Sequence, residues 1–238
     1  MILSLIQSGG SLTSILLSLI IILPAMMLAL SFHETAHGFV AWKCGDPTAH
    51  NLGRLSLNPL RHLDPTGLIM LLLVGYGWAK PVPVNARNFN DPKKGMALTA
   101  LAGPVSNLLL GLLFAVIGGA LYGAQVYLSY LGAGGLLIEA LDLISYALYF
   151  SAYINFLYAT FNMIPIPPFD GSRVVFAFLP TKYYFGIMRY ERQIMIVLLI
   201  SMVALSRLGL SPFGLVADWL TNNTYLPVAR LVVNTLAA

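Results

Sequence analysis

Two histidines four residues apart, with a glutamate after the first, stand in the stretch Ser31-Phe32-His33-Glu34-Thr35-Ala36-His37-Gly38-Phe39. On a helix that spacing puts both imidazoles on one face, about 6 Å apart along the axis, so both can reach one metal ion. Glu34 projects to another side, where a carboxylate acts as a base toward a metal-activated water rather than as a ligand. That chemistry is hydrolysis. The chain holds only four His, which makes a chance H-E-x-x-H rare.

The element carrying this pattern is strongly apolar. Met1 to Phe32 contains no Asp, Glu, Lys or Arg, and the helix expected over Leu12 to Trp42, with Pro24 as a kink, is longer than one bilayer crossing needs. Trp42 and Lys43 mark a membrane interface, which puts His33, ten residues earlier, roughly 15 Å inside. An ionised carboxylate at such depth costs about 3 kcal/mol or more unless it is compensated. A divalent metal and its water compensate it.

Composition agrees with a bilayer setting. Hydrophobic residues make up 58% of the 238, charged residues 9%, and the mean hydropathy is +0.80, outside the range of soluble domains. The fold class expected is an α-helical integral membrane protein of about four to six transmembrane helices, forming a single polytopic domain over residues 1–238. Its catalytic core would run over about 12–180, with a C-terminal span and interfacial helices over about 190–238. Further spans are expected over Gly95 to Tyr127, Leu136 to Met163 and, more briefly, Ile194 to Leu208. Leu68 to Trp78 is apolar but too short to cross and carries Gly75 and Gly77, so a re-entrant segment is expected. The alternation in Leu52 to Leu57 and the two prolines in Lys80 to Val84 suggest a small membrane-associated β element. Ser211 to Ala238, with Pro212, Asp218, Pro227 and Arg230, reads as short interfacial helices, with a fifth span as the less favoured alternative.

The net charge of +4 comes from basic residues scattered through loops, without the basic stripe and interleaved aromatics of a nucleic-acid surface, so no nucleic-acid partner is expected. The basic residues instead set topology. Lys43, Arg54, Arg61, Lys80, Arg87, Lys93 and Lys94 fall between the first and second spans, and Arg173, Lys182, Arg189 and Arg192 between the third and fourth. By the positive-inside bias both loops face the cytosol, and the N-terminus lies outside. No charged group precedes the first span, so it reads as retained rather than as a cleaved signal. The one cysteine, Cys44, excludes a Cys-based metal motif and reads as packing.

Two histidines and an open water position leave a zinc site one protein ligand short. Asn162-Met163-Ile164-Pro165-Ile166-Pro167-Pro168-Phe169-Asp170-Gly171 ends the third span with three prolines, breaking the helix near the same cytosolic depth. Taken alone, Asp170-Gly171 reads as a turn at a loop start. Beside an incomplete metal site, Asp170 reads as the missing ligand. His50 and His62 read as loop residues, His62 as structural, and Asn107 as either an interhelical hydrogen bonder or a site residue.

At this point the chain resembles the site-2 protease family, the intramembrane zinc metalloproteases of peptidase family M50. The motifs are Phe32-His33-Glu34-x-x-His37, Asn58-Pro59-x-x-His62-x-Asp64-Pro65, Gly77-Trp78-x-Lys80-Pro81-Val82-Pro83, Ala102-Gly103-Pro104-x-x-Asn107 and Asn162-x-x-Pro165-x-Pro167-x-x-Asp170-Gly171. They span roughly Ser31 to Arg173 in the family's order, with no room for an inserted PDZ or CBS domain, which suggests a minimal form. The resemblance implies one Zn2+ per chain held by His33, His37 and Asp170, Glu34 as general base, and Asn162 positioning the substrate or the tetrahedral intermediate. It implies cleavage of a transmembrane protein or peptide substrate, such as an anti-sigma factor, a membrane-tethered regulator or a signal-peptide remnant. Two rivals remain open at the level of sequence: a membrane metal or proton transporter, and a catalytically inactive scaffold.

Overall fold

The computed structural model describes residues 11–74, 77–179, 186, 189–208 and 212–238. Gly75 and Lys182, which enter the expectations above, lie outside them. Eight α-helices appear among the described residues: α1 (Leu12–Lys43), α2 (Thr48–Asn51), α3 (Pro65–Val74), α4 (Pro92–Tyr130), α5 (Leu136–Asn162), α6 (Asp170–Phe176), α7 (Glu191–Arg207) and α8 (Pro212–Ala237). Short 3-10 turns at Pro59–Arg61 and Ala86–Asn88 interrupt the loop segments.

Leu16–Lys43 within α1, together with α4 and α5, are the described helices long and apolar enough to cross a membrane. Leu108, Leu109, Leu112, Leu113, Val116 and Ile117 project outward along α4, as expected of a surface solvated by lipid. The expected fourth span is helical in place but only 17 residues long, about 26 Å.

Helix α4 organises the bundle, packing against α5, α8, α1 and α6. Its buried residues include one at every fourth position: Gly95, Thr99, Gly103, Asn107, Gly111, Ala115, Gly119 and Gly123. With 3.6 residues per turn, a four-residue step advances about 40° around the axis, so successive members meet different neighbours. A Cβ built on Gly95 would meet the Phe89 ring, on Gly103 the imidazoles of His33 and His37, on Gly111 the Phe156 ring, and on Gly119 and Gly123 the carbonyls of Tyr225 and Ala229. Small side chains let backbones approach where no hydrophobic drive between helices operates in lipid.

That last contact corrects the expectation for the C-terminal tail. Instead of short interfacial helices, Pro212–Ala237 is one helix of 26 residues. It buries Ala217, Thr221, Tyr225 and Ala229, again four apart, against the Gly119 to Gly123 groove of α4. Pro227 lies inside the helix without ending it, and Asp218 stands near the hydroxyls of Tyr149 and Tyr153.

The β element is also smaller than expected. No strand forms among the described residues, and pairing is limited to one isolated antiparallel bridge between Leu63 and Ala79. Pro81 and Pro83 lack the N–H groups a ladder requires. The extended segments 54–58 and 80–85 are held instead by Arg54, whose guanidinium donates to the Lys80 carbonyl at 2.8 Å, and by Lys80 N–H, which donates to the His62 carbonyl at 2.8 Å. Helix α3, 10 residues long, covers Leu68 to Val74 of the stretch read as re-entrant.

Candidate metal and catalytic site

Helix α1 runs unbroken through His33 and His37, so their side chains leave the same face one turn apart. Asp170 arrives from far along the chain. Helix α5 stops at Asn162, prolines 165, 167 and 168 prevent its resumption, and the Phe161 and Phe169 rings pack with centroids 4.3 Å apart. Gly171 closes the turn, since a Cβ there would lie 2.3 Å from the Met163 carbonyl oxygen. The loop folds back on its own helix end and presents Asp170, the first residue of α6, to α1.

The Asp170 Oδ2 lies 3.1 Å from His33 Nε2 and 3.2 Å from His37 Nε2. The two Nε2 atoms are 2.9 Å apart. Their other ring nitrogens are already committed: His33 Nδ1 to Asn107 Oδ1 at 2.6 Å, and His37 Nδ1 to the Thr99 carbonyl at 2.6 Å. A backbone carbonyl only accepts, so His37 Nδ1 carries the proton and its Nε2 presents a lone pair. With Asn107 oriented by its own partners, the same holds for His33. Three acceptor atoms therefore converge with no proton between them, and Asp170 Oδ2 is buried without a hydrogen-bond partner. Such an arrangement is repulsive unless a cation lies between the three atoms. Donors bound to zinc at about 2.0 Å in tetrahedral geometry stand about 3.3 Å from one another, close to the separations found. These three residues form a group able to hold a metal ion, and the donor set of two imidazoles and a carboxylate leaves a position open.

Glu34 is buried beside the cluster without joining it. Its Oε2 accepts the Val82 N–H at 2.8 Å, and Pro81 and Pro83 leave Val82 as the only N–H donor of that tripeptide. Thr35 ties the same helix to the 54–58 segment, its hydroxyl donating to the Ser56 carbonyl at 2.8 Å, and His62 Nε2 contacts that carbonyl at 2.6 Å. His62 is buried and structural, as the sequence suggested, and His50 stacks on Trp42 with centroids 4.6 Å apart.

The structure thus brings together His33, Glu34, His37 and Asp170. Asn162 is the last residue of α5, its amide donating to the Tyr158 carbonyl one turn back at 3.1 Å. Four contributors escaped the sequence reading as site residues. Val82 and Thr99 act through backbone atoms, which leave no trace in side-chain type. Gly103 acts by lacking a side chain, and Asn155 is a single amide inside an apolar helix, where its only signal was polarity within a span.

Comparison with known proteins points the same way. The family model for peptidase family M50 matches residues 20–206. "Putative zinc metalloprotease YwhC" of Bacillus subtilis is 39% identical over 159 residues, covering 65% of this chain and 67% of that protein. Two proteins with the same description, Rip2 of Mycolicibacterium smegmatis and MJ0611 of Methanocaldococcus jannaschii, are 27% and 29% identical over 161 residues, covering 64% and 67% of this chain. The match spans 54% of Rip2 and 71% of MJ0611. No solved structure gave a significant match. The matched region contains both the α1 motif and Asp170, so the convergent acceptors lie in the part that defines the family, and the chain belongs to peptidase family M50 as a membrane zinc metallopeptidase.

Proposed function

We propose that the protein hydrolyses peptide bonds of transmembrane substrates within the bilayer, close to the cytosolic surface. The observation that carries this reading is the convergence of His33, His37 and Asp170 with Glu34 beside them, on a helix apolar enough to cross a membrane. His33, His37 and Asp170 would hold the zinc. When bound, the metal supplies Lewis acidity toward water and toward the scissile carbonyl.

The chain's own residues do the rest. Asn107 and the Thr99 carbonyl fix the two imidazoles with Nε2 facing inward, as partners of ligating histidines do. Glu34, held by the Val82 N–H, takes a proton from the attacking water and passes it to the leaving amine. Burial of Glu34 strengthens this proton transfer by excluding competing solvent. A substrate helix must unwind before cleavage, because its carbonyls are already bonded within the helix. The extended Lys80–Val84 segment lies beside Glu34 and is the natural support for such an unwound stretch. Asn162, at the end of α5, would position the substrate with the amide atoms that its bond to the Tyr158 carbonyl leaves available.

Basic residues concentrated between α1 and α4, and between α5 and α7, support a cytosolic placement of the site and an outside N-terminus. Substrates of the expected class are membrane-tethered regulators, anti-sigma factors and signal-peptide remnants.

The test is reconstitution of the purified protein in lipid vesicles with a single-pass peptide labelled at both ends. The expected result is cleavage within the span, abolished by a chelator and restored by zinc. Zinc or proton flux across the vesicle wall without cleavage would favour a transporter and overturn the proposal.

A further inference from the structure

Asn107 and Asn155 are both completely buried and linked in a chain of amides across three helices. Asn107 Nδ2 donates to the Ala29 carbonyl of α1 at 3.0 Å and to Asn155 Oδ1 at 2.9 Å. Asn155 Nδ2 donates to the Ser151 carbonyl at 2.8 Å. The last contact of the chain is Asn107 Oδ1 with His33 Nδ1 at 2.6 Å.

The direction of this chain is forced. Ala29 and Ser151 contribute backbone carbonyls, which cannot donate. Turning the Asn155 amide over would set its oxygen against the Ser151 oxygen. Turning Asn107 over would set its oxygen against those of Ala29 and Asn155. Each reversal strands buried polar atoms at about 1–3 kcal/mol apiece. With both amides fixed, Asn107 has only an oxygen to offer His33, so His33 Nδ1 must carry its proton and Nε2 must present its lone pair.

We infer that Asn155 is a positioning residue for the metal site, setting the tautomer and aim of His33 through Asn107 without touching metal, substrate or Glu34. The inference rests on His33 being a metal ligand. Asn155 lies on α5, the helix that also delivers Asp170 after the proline break, so one helix controls two of the three donors. A change in how α5 packs on α4 would therefore reach His33 and Asp170 together.

The test uses the full chain in detergent, with zinc affinity measured by chelator competition at fixed pH and thermal unfolding measured on the zinc-free protein. Asn155→Leu removes the acceptor for Asn107 and should weaken zinc binding about 10- to 100-fold, the usual cost of losing an outer partner of a ligand. Asn155→Asp is the rescue. A carboxyl in this apolar setting is held protonated, donates to Ser151 and accepts from Asn107, and should bind zinc within about threefold of wild type. Cobalt substitution should show an altered visible spectrum in Asn155→Leu and an unaltered one in Asn155→Asp. A purely structural role would lower the unfolding temperature of Asn155→Leu while leaving zinc affinity unchanged, and that result would overturn the inference. Where Asn155→Leu fails to fold, a large loss of zinc affinity in Asn155→Asp would overturn it equally. A wild-type protein that binds no zinc would instead refute the metal assignment.

Discussion

Gly103→Ala isolates the metal site from the stability of the bundle. A Cβ on Gly103 would lie 2.5 Å from His33 Cε1, 2.5 Å from His37 Nε2 and 2.6 Å from His33 Nε2. Restoring ordinary contact near 3.4 Å requires the imidazoles to retreat by about 0.9 Å, whereas zinc–ligand distances tolerate about 0.2 Å. The rings cannot swing freely, because Asn107 and the Thr99 carbonyl hold their far nitrogens at 2.6 Å. For the fold, replacing a mid-helix glycine gains about 1 kcal/mol in helix propensity, while overpacking costs about 1–3 kcal/mol. Global stability should therefore change by no more than about 2 kcal/mol. Zinc affinity should fall at least about 100-fold, the upper end of what one lost outer partner costs, because two ligands move at once. Elemental analysis and chelator competition on the purified variant measure the metal, and thermal unfolding of the zinc-free protein measures the fold. Gly111→Ala, less tightly crowded and against the Phe156 ring at 2.9 Å, is the control that should keep its zinc. Full zinc occupancy and wild-type affinity in Gly103→Ala would show that the two imidazoles beside Gly103 do not hold the metal.

Val82→Pro removes the single N–H donated to Glu34 and should lower kcat about 10- to 100-fold, the value of a hydrogen bond to a charged group, with zinc content unchanged. Val82→Ala, which keeps the N–H, should stay near wild type in the same assay. At Asp46, burial would raise the carboxyl, but the Thr48 hydroxyl and N–H, the Asn85 N–H and the Asn88 amide hold it below its ordinary value. A depressed folded-state value means that its stabilisation is full above about pH 4 and disappears as pH falls through the folded value. The gap in unfolding temperature between wild type and Asp46→Asn should accordingly be largest near neutrality and narrow as pH falls below about 4. Gly119→Ala would bring a Cβ to 2.5 Å from the Tyr225 carbonyl and should loosen α8 from α4, detected as faster hydrogen exchange over Pro212–Ala237 with zinc affinity retained.

The candidate metal cluster was more legible than the architecture around it. His33, Glu34 and His37 declare themselves because four-residue spacing on a helix has one geometric consequence, and Asp170 because a proline-broken helix end inside an apolar chain has few explanations. The crossing helices follow from length and hydropathy. The continuous C-terminal helix was ranked behind short interfacial helices because Asp218, Pro227 and Arg230 counted as interruptions, although its small residues repeat every four positions to match a groove. The glycines of α4 were written in the sequence with the same period, yet hydropathy registers them only as apolar. The expected β pairing failed for a reason already visible in Pro81 and Pro83, and the Val82 N–H between them turned inward to Glu34. Contacts made by backbone atoms, such as the Thr99 and Ser151 carbonyls, depend on helix register and packing, which side-chain types alone do not determine.

The measurement that bears most directly on the zinc-dependent role of Glu34 compares wild type with Glu34→Gln in the same vesicles, recording zinc per chain and cleavage of a transmembrane peptide. One zinc is expected in both proteins, with cleavage reduced about 100-fold or more in the variant by loss of the proton-transferring group. Equal cleavage by Glu34→Gln, or loss of zinc along with Glu34, would contradict that role.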